Sequence, residues 1–130
     1  LLDGRSVRCK LCKQLRHGST LIKENTGWRV HMYKYVYSAQ KRKIDWELSI
    51  DQFMSLCQSD CNYCGATPVQ RVMNRHTINA NGIDRVDSDK GYVVGNTVPS
   101  CGLCNKMKMK LTREEFLEHI EKIYRFGIRT

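Results

Sequence analysis

The chain has 130 residues, of which 41% are hydrophobic and 8% aromatic, a composition that suits one small domain with a core modest enough to need a staple. No apolar run approaches the roughly 18 residues of a membrane-spanning helix, which excludes that class. The net charge of +9 is uneven, with 11 Lys/Arg against 4 Asp/Glu in residues 1–47 and 11 against 9 in the remainder. A basic flank on a near-neutral body is the electrostatic footprint of a nucleic-acid partner, although anionic membranes and acidic proteins also attract such flanks.

In chain order, residues 1–30 read as a basic N-terminal arm punctuated by Gly4, Gly18 and Gly27. Residues 31–60 read as a helical flank. Val30, Tyr33 and Tyr37 recur at helical spacing within a predicted helix from Arg29 to about Lys43, with Lys34, Lys41, Arg42 and Lys43 on its other face. The run "IDWEL" (44–48) is expected to be extended. Ser49 and Gln52 stand at capping-box spacing ahead of Phe53, Leu56 and Cys57, which predicts a second helix. "CNYCG" (61–65) is a knuckle, and residues 66–81 show no clear period, with "NANG" (79–82) read as a turn. Ile83–Val86 and Tyr92–Val98 are predicted strands joined by the acidic turn "DSDKG". Thr112 and Glu115 open a last amphipathic helix whose apolar face, Phe116, Leu117, Ile120, Ile123 and Tyr124, is expected to act as a packing brace.

Seven cysteines include three C-x-x-C pairs. Cys61, Cys64, Cys101 and Cys104 form C-x2-C-x36-C-x2-C, a pattern that brings four thiolates to one tetrahedral zinc and leaves no open coordination position, so this zinc is expected to be structural. Zinc thiolates fit a reducing, intracellular compartment. Cys57 is expected to pack in a helix. Between the two knuckles, Asp84, Asn96 and Asn105 converge in a strand–strand–helix unit. Asp and Asn oxygens suit Mg²⁺ or Mn²⁺, which can bind a scissile phosphate and stabilise the leaving oxygen. Lys106, Lys108 and Lys110 follow directly and are candidate contacts to DNA phosphates.

The run "GIDRVDSDKGYVVGNTVPSCGLCNKMK" resembles the ββα-metal core of HNH endonucleases, in particular phage-type members framed by a four-cysteine zinc. With its flanks the resemblance covers about residues 33–126. It implies a small α+β fold, a zinc-stapled ββα-metal core (61–126) with flanking helices and a basic arm. It also implies metal-dependent hydrolysis of DNA by activated water, in the cytoplasm of a phage- or virus-infected host. Position by position, it assigns Asp84 and Asn105 as ligands of the catalytic Mg²⁺ or Mn²⁺, Asn96 as the residue that orients the general base, and the four knuckle cysteines as the structural zinc frame. Cutting both strands from one small site implies a homodimer or two events.

Arg85 stands where this family usually carries the general-base histidine. Arginine does not deprotonate in proteins, so the expected role here is a clamp on the scissile phosphate. The base must then be another group, and His76, Tyr92 and Asp87 are the candidates. Each also has an ordinary reading, as an exposed loop residue, a packing residue and a turn former respectively. The missing histidine equally suits a non-catalytic, zinc-stapled DNA-binding module. Cys9 and Cys12 resemble half of a short zinc module whose other pair would precede Leu1, and are candidate ligands of a second zinc; two free thiols on a basic arm are the alternative.

Overall fold

The computed structural model describes residues 26–128. Residues 1–25 of the arm, with Cys9 and Cys12, lie outside the described residues. Helix α1 (Thr26–Lys41) and helix α2 (Ile50–Cys57) pack together and carry the core. Met32, Val36 and Ala39 of α1 meet Phe53 and Cys57 of α2, all fully or almost fully buried. Phe53 is the hub, with ring centroids 5.2 Å from His31, 5.8 Å from Tyr35 and 6.1 Å from Trp46. The Ser49 capping box forms in both directions, with Gln52 N–H donating to Ser49 Oγ (3.1 Å) and Ser49 N–H donating to Gln52 Oε1 (2.9 Å). Cys57 is buried as expected, and burial pushes its thiol up to about 12.

Residues 66–81 hold an antiparallel hairpin that has no counterpart in the periodicity reading. Strands β1 (Val69–Met73) and β2 (His76–Ala80) close at the pair Met73↔His76. Asn74 and Arg75 make the turn with φ of 48° and 70°, the mirror-image turn that matches the twist of a two-residue hairpin. Asn81 is likewise not a turn residue. It is buried, and its amide Nδ2 donates to Ser59 O (2.9 Å) and Ala66 O (3.0 Å), while its N–H donates to Cys57 O (2.8 Å). Through its side chain and its backbone N–H, this one residue ties the end of α2 to the segment after the first knuckle, just ahead of the next strand.

Strand β3 (Gly82–Arg85) pairs antiparallel with β4 (Thr97–Ser100), with Asp84 opposite Val98. β4 starts five residues later than the expected Tyr92. Tyr92 leaves the hairpin because its ring belongs to the core, 5.1 Å from Trp46 and 6.3 Å from Tyr35. Its backbone pairs in parallel with Trp46 instead: Tyr92 N–H donates to Asp45 O (2.8 Å) and Glu47 N–H to Tyr92 O (2.9 Å). The run expected to be extended at 44–48 meets the rest of the fold through this bridge. A Cβ at Gly82 would meet the Tyr35 hydroxyl, so any side chain there would displace that ring.

Helices α3 (Gly102–Lys108) and α4 (Arg113–Gly127) complete the chain. Thr112 caps α4 by accepting from Glu115 N–H at 3.1 Å. The expected brace is partial. Phe116 alone of the α4 residues is buried, edge-on to Tyr63 at 5.6 Å. Leu117, Ile123 and Tyr124 are exposed, so the brace acts through the first turn of α4. Among the described residues no helix is long and apolar enough to cross a membrane.

Candidate metal and active centre

The two knuckles meet at the open end of the β3–β4 pair. In the first, Gly65 adopts φ of 78°, a conformation that favours glycine, and Gly65 N–H donates to Cys61 O at 2.9 Å. Asn62 N–H donates to Pro99 O (2.9 Å) and so docks this knuckle on β4. The second knuckle begins α3, where Cys101 occupies the N-cap and its Sγ accepts from Cys104 N–H at 3.4 Å. The sulfurs of Cys61, Cys64, Cys101 and Cys104 all lie within 4.8 Å of one another, with Cys64 and Cys101 at 3.7 Å. A tetrahedron with metal–sulfur bonds of about 2.3 Å has sulfur–sulfur edges of about 3.8 Å, so the set fits a tetrahedral thiolate metal. Burial opposes ionisation of Cys61, but N–H groups of Cys101, Cys64 and Tyr63 outweigh it and bring the thiol down to about 6. The thiolate that a metal requires is thus favoured at one corner.

Asp84 lies on β3 beside this staple, 8% exposed. Two side chains converge on its Oδ2. The Tyr63 hydroxyl donates at 2.7 Å, and the Lys108 ammonium stands at 3.1 Å. Burial, and then the bond to Asp84, raise the Tyr63 phenol above its ordinary range, so it is a neutral donor here. Lys108 has no exposed surface and also donates to Arg85 O at 3.1 Å. This corrects the expectation that Lys108 is a surface phosphate contact like Lys106 and Lys110, which are exposed. Cys104 and Lys108 are four residues apart on α3, so the inward face that presents the thiol also presents the ammonium. Asn105 Nδ2 donates to Ile83 O at 3.0 Å. That bond commits the amide nitrogen next to Asp84 and leaves Oδ1 as a hard oxygen donor. Both contacts of Asp84 fall on Oδ2, which leaves Oδ1 available to a hard cation. Asp84 and Asn105 therefore carry the donor chemistry that Mg²⁺ or Mn²⁺ favours.

The loop 86–96 is held by the other two predicted residues. Asn96 is buried, and its Nδ2 donates to Asp87 O (3.1 Å) and Gly91 O (2.9 Å) while its Oδ1 accepts from Asp87 N–H (2.9 Å). Arg85 Nη1 donates to Ser88 O (2.7 Å) and Lys90 O (3.0 Å), and its guanidinium lies 5.4 Å over the Tyr92 ring. In these contacts Arg85 organises the loop, where a phosphate clamp was expected. Asp87 accepts from Asp89 N–H at 2.9 Å as a turn former does, and Tyr92 is a core residue. His76 sits at the far hairpin against Gly27, in a different sheet from Asp84. Tyr63 is the residue that sequence reading missed. Its one signal was its place between Cys61 and Cys64, beside the metal frame.

No protein-family model matches the chain. Its sequence is 32% identical over 102 residues to an uncharacterized protein of Acanthamoeba polyphaga mimivirus, across 78% of this chain and 18% of that protein; the chain thus spans less than a fifth of this relative's length. Its structure is similar to that of PacI, a rare-cutting HNH restriction endonuclease, with a TM-score of 0.53 and 25% identity over 95% of this chain and 82% of that one. The fold is small α+β, similar to the HNH endonuclease fold, with a four-cysteine cluster able to hold a metal.

Proposed function

We propose that the chain is a phage-type HNH endonuclease that hydrolyses DNA phosphodiester bonds with a divalent cation, on a frame stapled by zinc at Cys61, Cys64, Cys101 and Cys104. The observation that carries this reading is the buried Asp84, set on a strand beside a sulfur tetrahedron with Asn105 anchored one residue away on the same strand's carbonyl. The structural likeness to an HNH enzyme supports it, and the viral relative supports a virus-infected host as its setting. A Mg²⁺ or Mn²⁺ ion held by Asp84 and Asn105 would supply positive charge to the scissile phosphate and the leaving oxygen.

The chain's own groups do the rest. Tyr63 fixes the Asp84 carboxylate by its hydrogen bond. Lys108, fully buried, holds the same carboxylate oxygen from the other side and ties α3 to β3. Asn96 and Arg85 keep the loop 86–96 in one shape. Lys106 and Lys110, exposed on and after α3, are placed for flanking phosphates. His76 lies in a different sheet from Asp84, and Tyr63 donates to Asp84 as a neutral phenol, so this reading assigns the general base to neither.

Plasmid nicking in Mg²⁺, Mn²⁺ and chelator tests the reading. Wild type is expected to nick with either ion, and Asp84→Asn is expected to lose nicking while keeping zinc and fold. Asn is preferred to Ala because it leaves a polar partner for the buried Lys108. Undiminished nicking by Asp84→Asn would overturn the assignment. Salt-sensitive DNA binding without nicking under any ion would instead favour the non-catalytic module, the reading that Arg85 at the usual base position motivates.

A further inference from the structure

A cleft of about 330 Å³ lies between α1 and the β1–β2 hairpin, away from Asp84. His31, Lys34 and Ser38 line it from α1, Arg42 from the turn that follows, Arg71 from β1 and Tyr92 from the loop, and no carboxylate is among its lining residues. Lys34 and Ser38 are four apart on one face of α1, and Arg42, whose N–H donates to Ser38 O at 3.1 Å, continues that stripe just past the helix end. From Lys34 to Arg42 the stripe rises about 12 Å, enough to follow several phosphates of a strand that advances about 3.4 Å per nucleotide. The cations are largely uncommitted. Arg71 donates through Nε to Ala80 O (2.7 Å), which steers the fork of its two terminal nitrogens without occupying them. Arg42 makes only long contacts, at 3.4 Å, to Ser38 O and the Tyr92 hydroxyl. Among the described residues none of these three cations has an ion-pair partner, whereas Lys90, Lys108 and Arg125 do.

The cleft is also wired to the active strand. The Tyr35 hydroxyl on its wall accepts from Ile83 N–H at 3.3 Å, one residue before Asp84. Tyr92 on its floor carries the Arg85 guanidinium over its ring. Three cations spread along an open channel, rather than converging on one point, suit a run of phosphates more than a single small anion. The geometry points to this cleft as a second phosphate-binding track, which grips the backbone of the DNA whose scissile phosphate lies at Asp84 and sets its angle of entry. The inference rests on the nucleic-acid part of the function proposed above and not on cleavage.

The test is DNA binding by fluorescence anisotropy across a salt series, with a duplex probe and no added divalent ion. Each of Lys34→Gln, Arg42→Gln and Arg71→Gln is expected to weaken binding and to flatten the log–log salt slope by about 0.9, and the triple variant by about 2.7. Lys122→Gln on exposed α4 is expected to keep the wild-type slope. Because Arg71 also holds the hairpin, the double variant Lys34→Gln/Arg42→Gln is measured alongside, with an expected loss of about 1.8. A wild-type slope and affinity in the double and triple variants would overturn the track. Wild-type binding with the expected losses but no nicking would retain the track and remove the nuclease. Nicking by wild type with unchanged slopes in the variants would do the reverse, and no DNA binding by wild type would remove both.

Discussion

Lys108 stands fully buried with its ammonium 3.1 Å from Asp84 Oδ2, and it also donates to Arg85 O at 3.1 Å. Removing one partner of such a pair leaves the other's charge uncompensated. Lys108→Met, which keeps the bulk and removes the charge, should cost about 3–5 kcal/mol in urea unfolding, while Lys106→Met on the exposed face should change stability by no more than about 0.5 kcal/mol. His31 gives a second residue-scale expectation. Burial, with Arg71 and Lys34 nearby, depresses its imidazole to about 4, against an opposing bond to Asn81 O. The unfolded chain, with a histidine near 6.5, therefore binds the extra proton between about pH 4 and 6.5, and stability rises with pH across that window. Acidification from pH 7 to 4 should cost wild type up to about 3 kcal/mol from this group, and His31→Gln should show a correspondingly flatter pH profile of urea midpoints. Sequence placed Asp84 and Asn105 within reach of each other because they sit beside knuckle and strand signals. Lys108 was hidden because three lysines alternate in "NKMKMK", and only the phase of α3, set by Cys104, separates the inward one from the outward two.

At the scale of elements, what could be read was what carries a cap or a strong period. The Ser49 box and the knuckles belong to that class; α1 was legible as a helix, but the stripe expected at Val30, Tyr33 and Tyr37 is not its buried face, which Met32, Val36 and Ala39 form instead. The β1–β2 hairpin lies outside that class, since its turn has no glycine and its outer face, with Val72 71% exposed, mixes apolar and polar residues without alternation. Arg75 pays for this turn with a φ of 70°, where a side chain is strained. Arg75→Gly should raise stability by about 0.5–1 kcal/mol, read as a higher thermal midpoint with an unchanged fold. The displaced start of β4 has a different origin. Tyr92 was assigned to a strand on local β preference, but tertiary burial against Trp46 and Tyr35 overrode it.

At the scale of the molecule, the cysteine spacing and the split of charge were the legible features, because each is independent of register and packing. The staple was foreseeable from four positions; the cleft along α1 was not, because it needs Arg71 from a hairpin that periodicity did not reveal. The metal at the staple should be countable. Mercurial release of zinc into a colorimetric chelator should fall by one equivalent per chain in Cys104→Ser relative to wild type, with a lower thermal midpoint.

Cys104 and Asn105 are adjacent on one helical turn, and Lys108 lies on the next. Inhibition by a chelator is therefore ambiguous on its own, because extracting the sulfur-bound ion would slacken α3 and carry the Asn105 oxygen and the Lys108 ammonium away from Asp84. Order of restoration separates the two dependencies. Recovery on adding Mg²⁺ alone reports an emptied catalytic position on an intact helix, whereas recovery that waits for Zn²⁺ and refolding reports a lost scaffold.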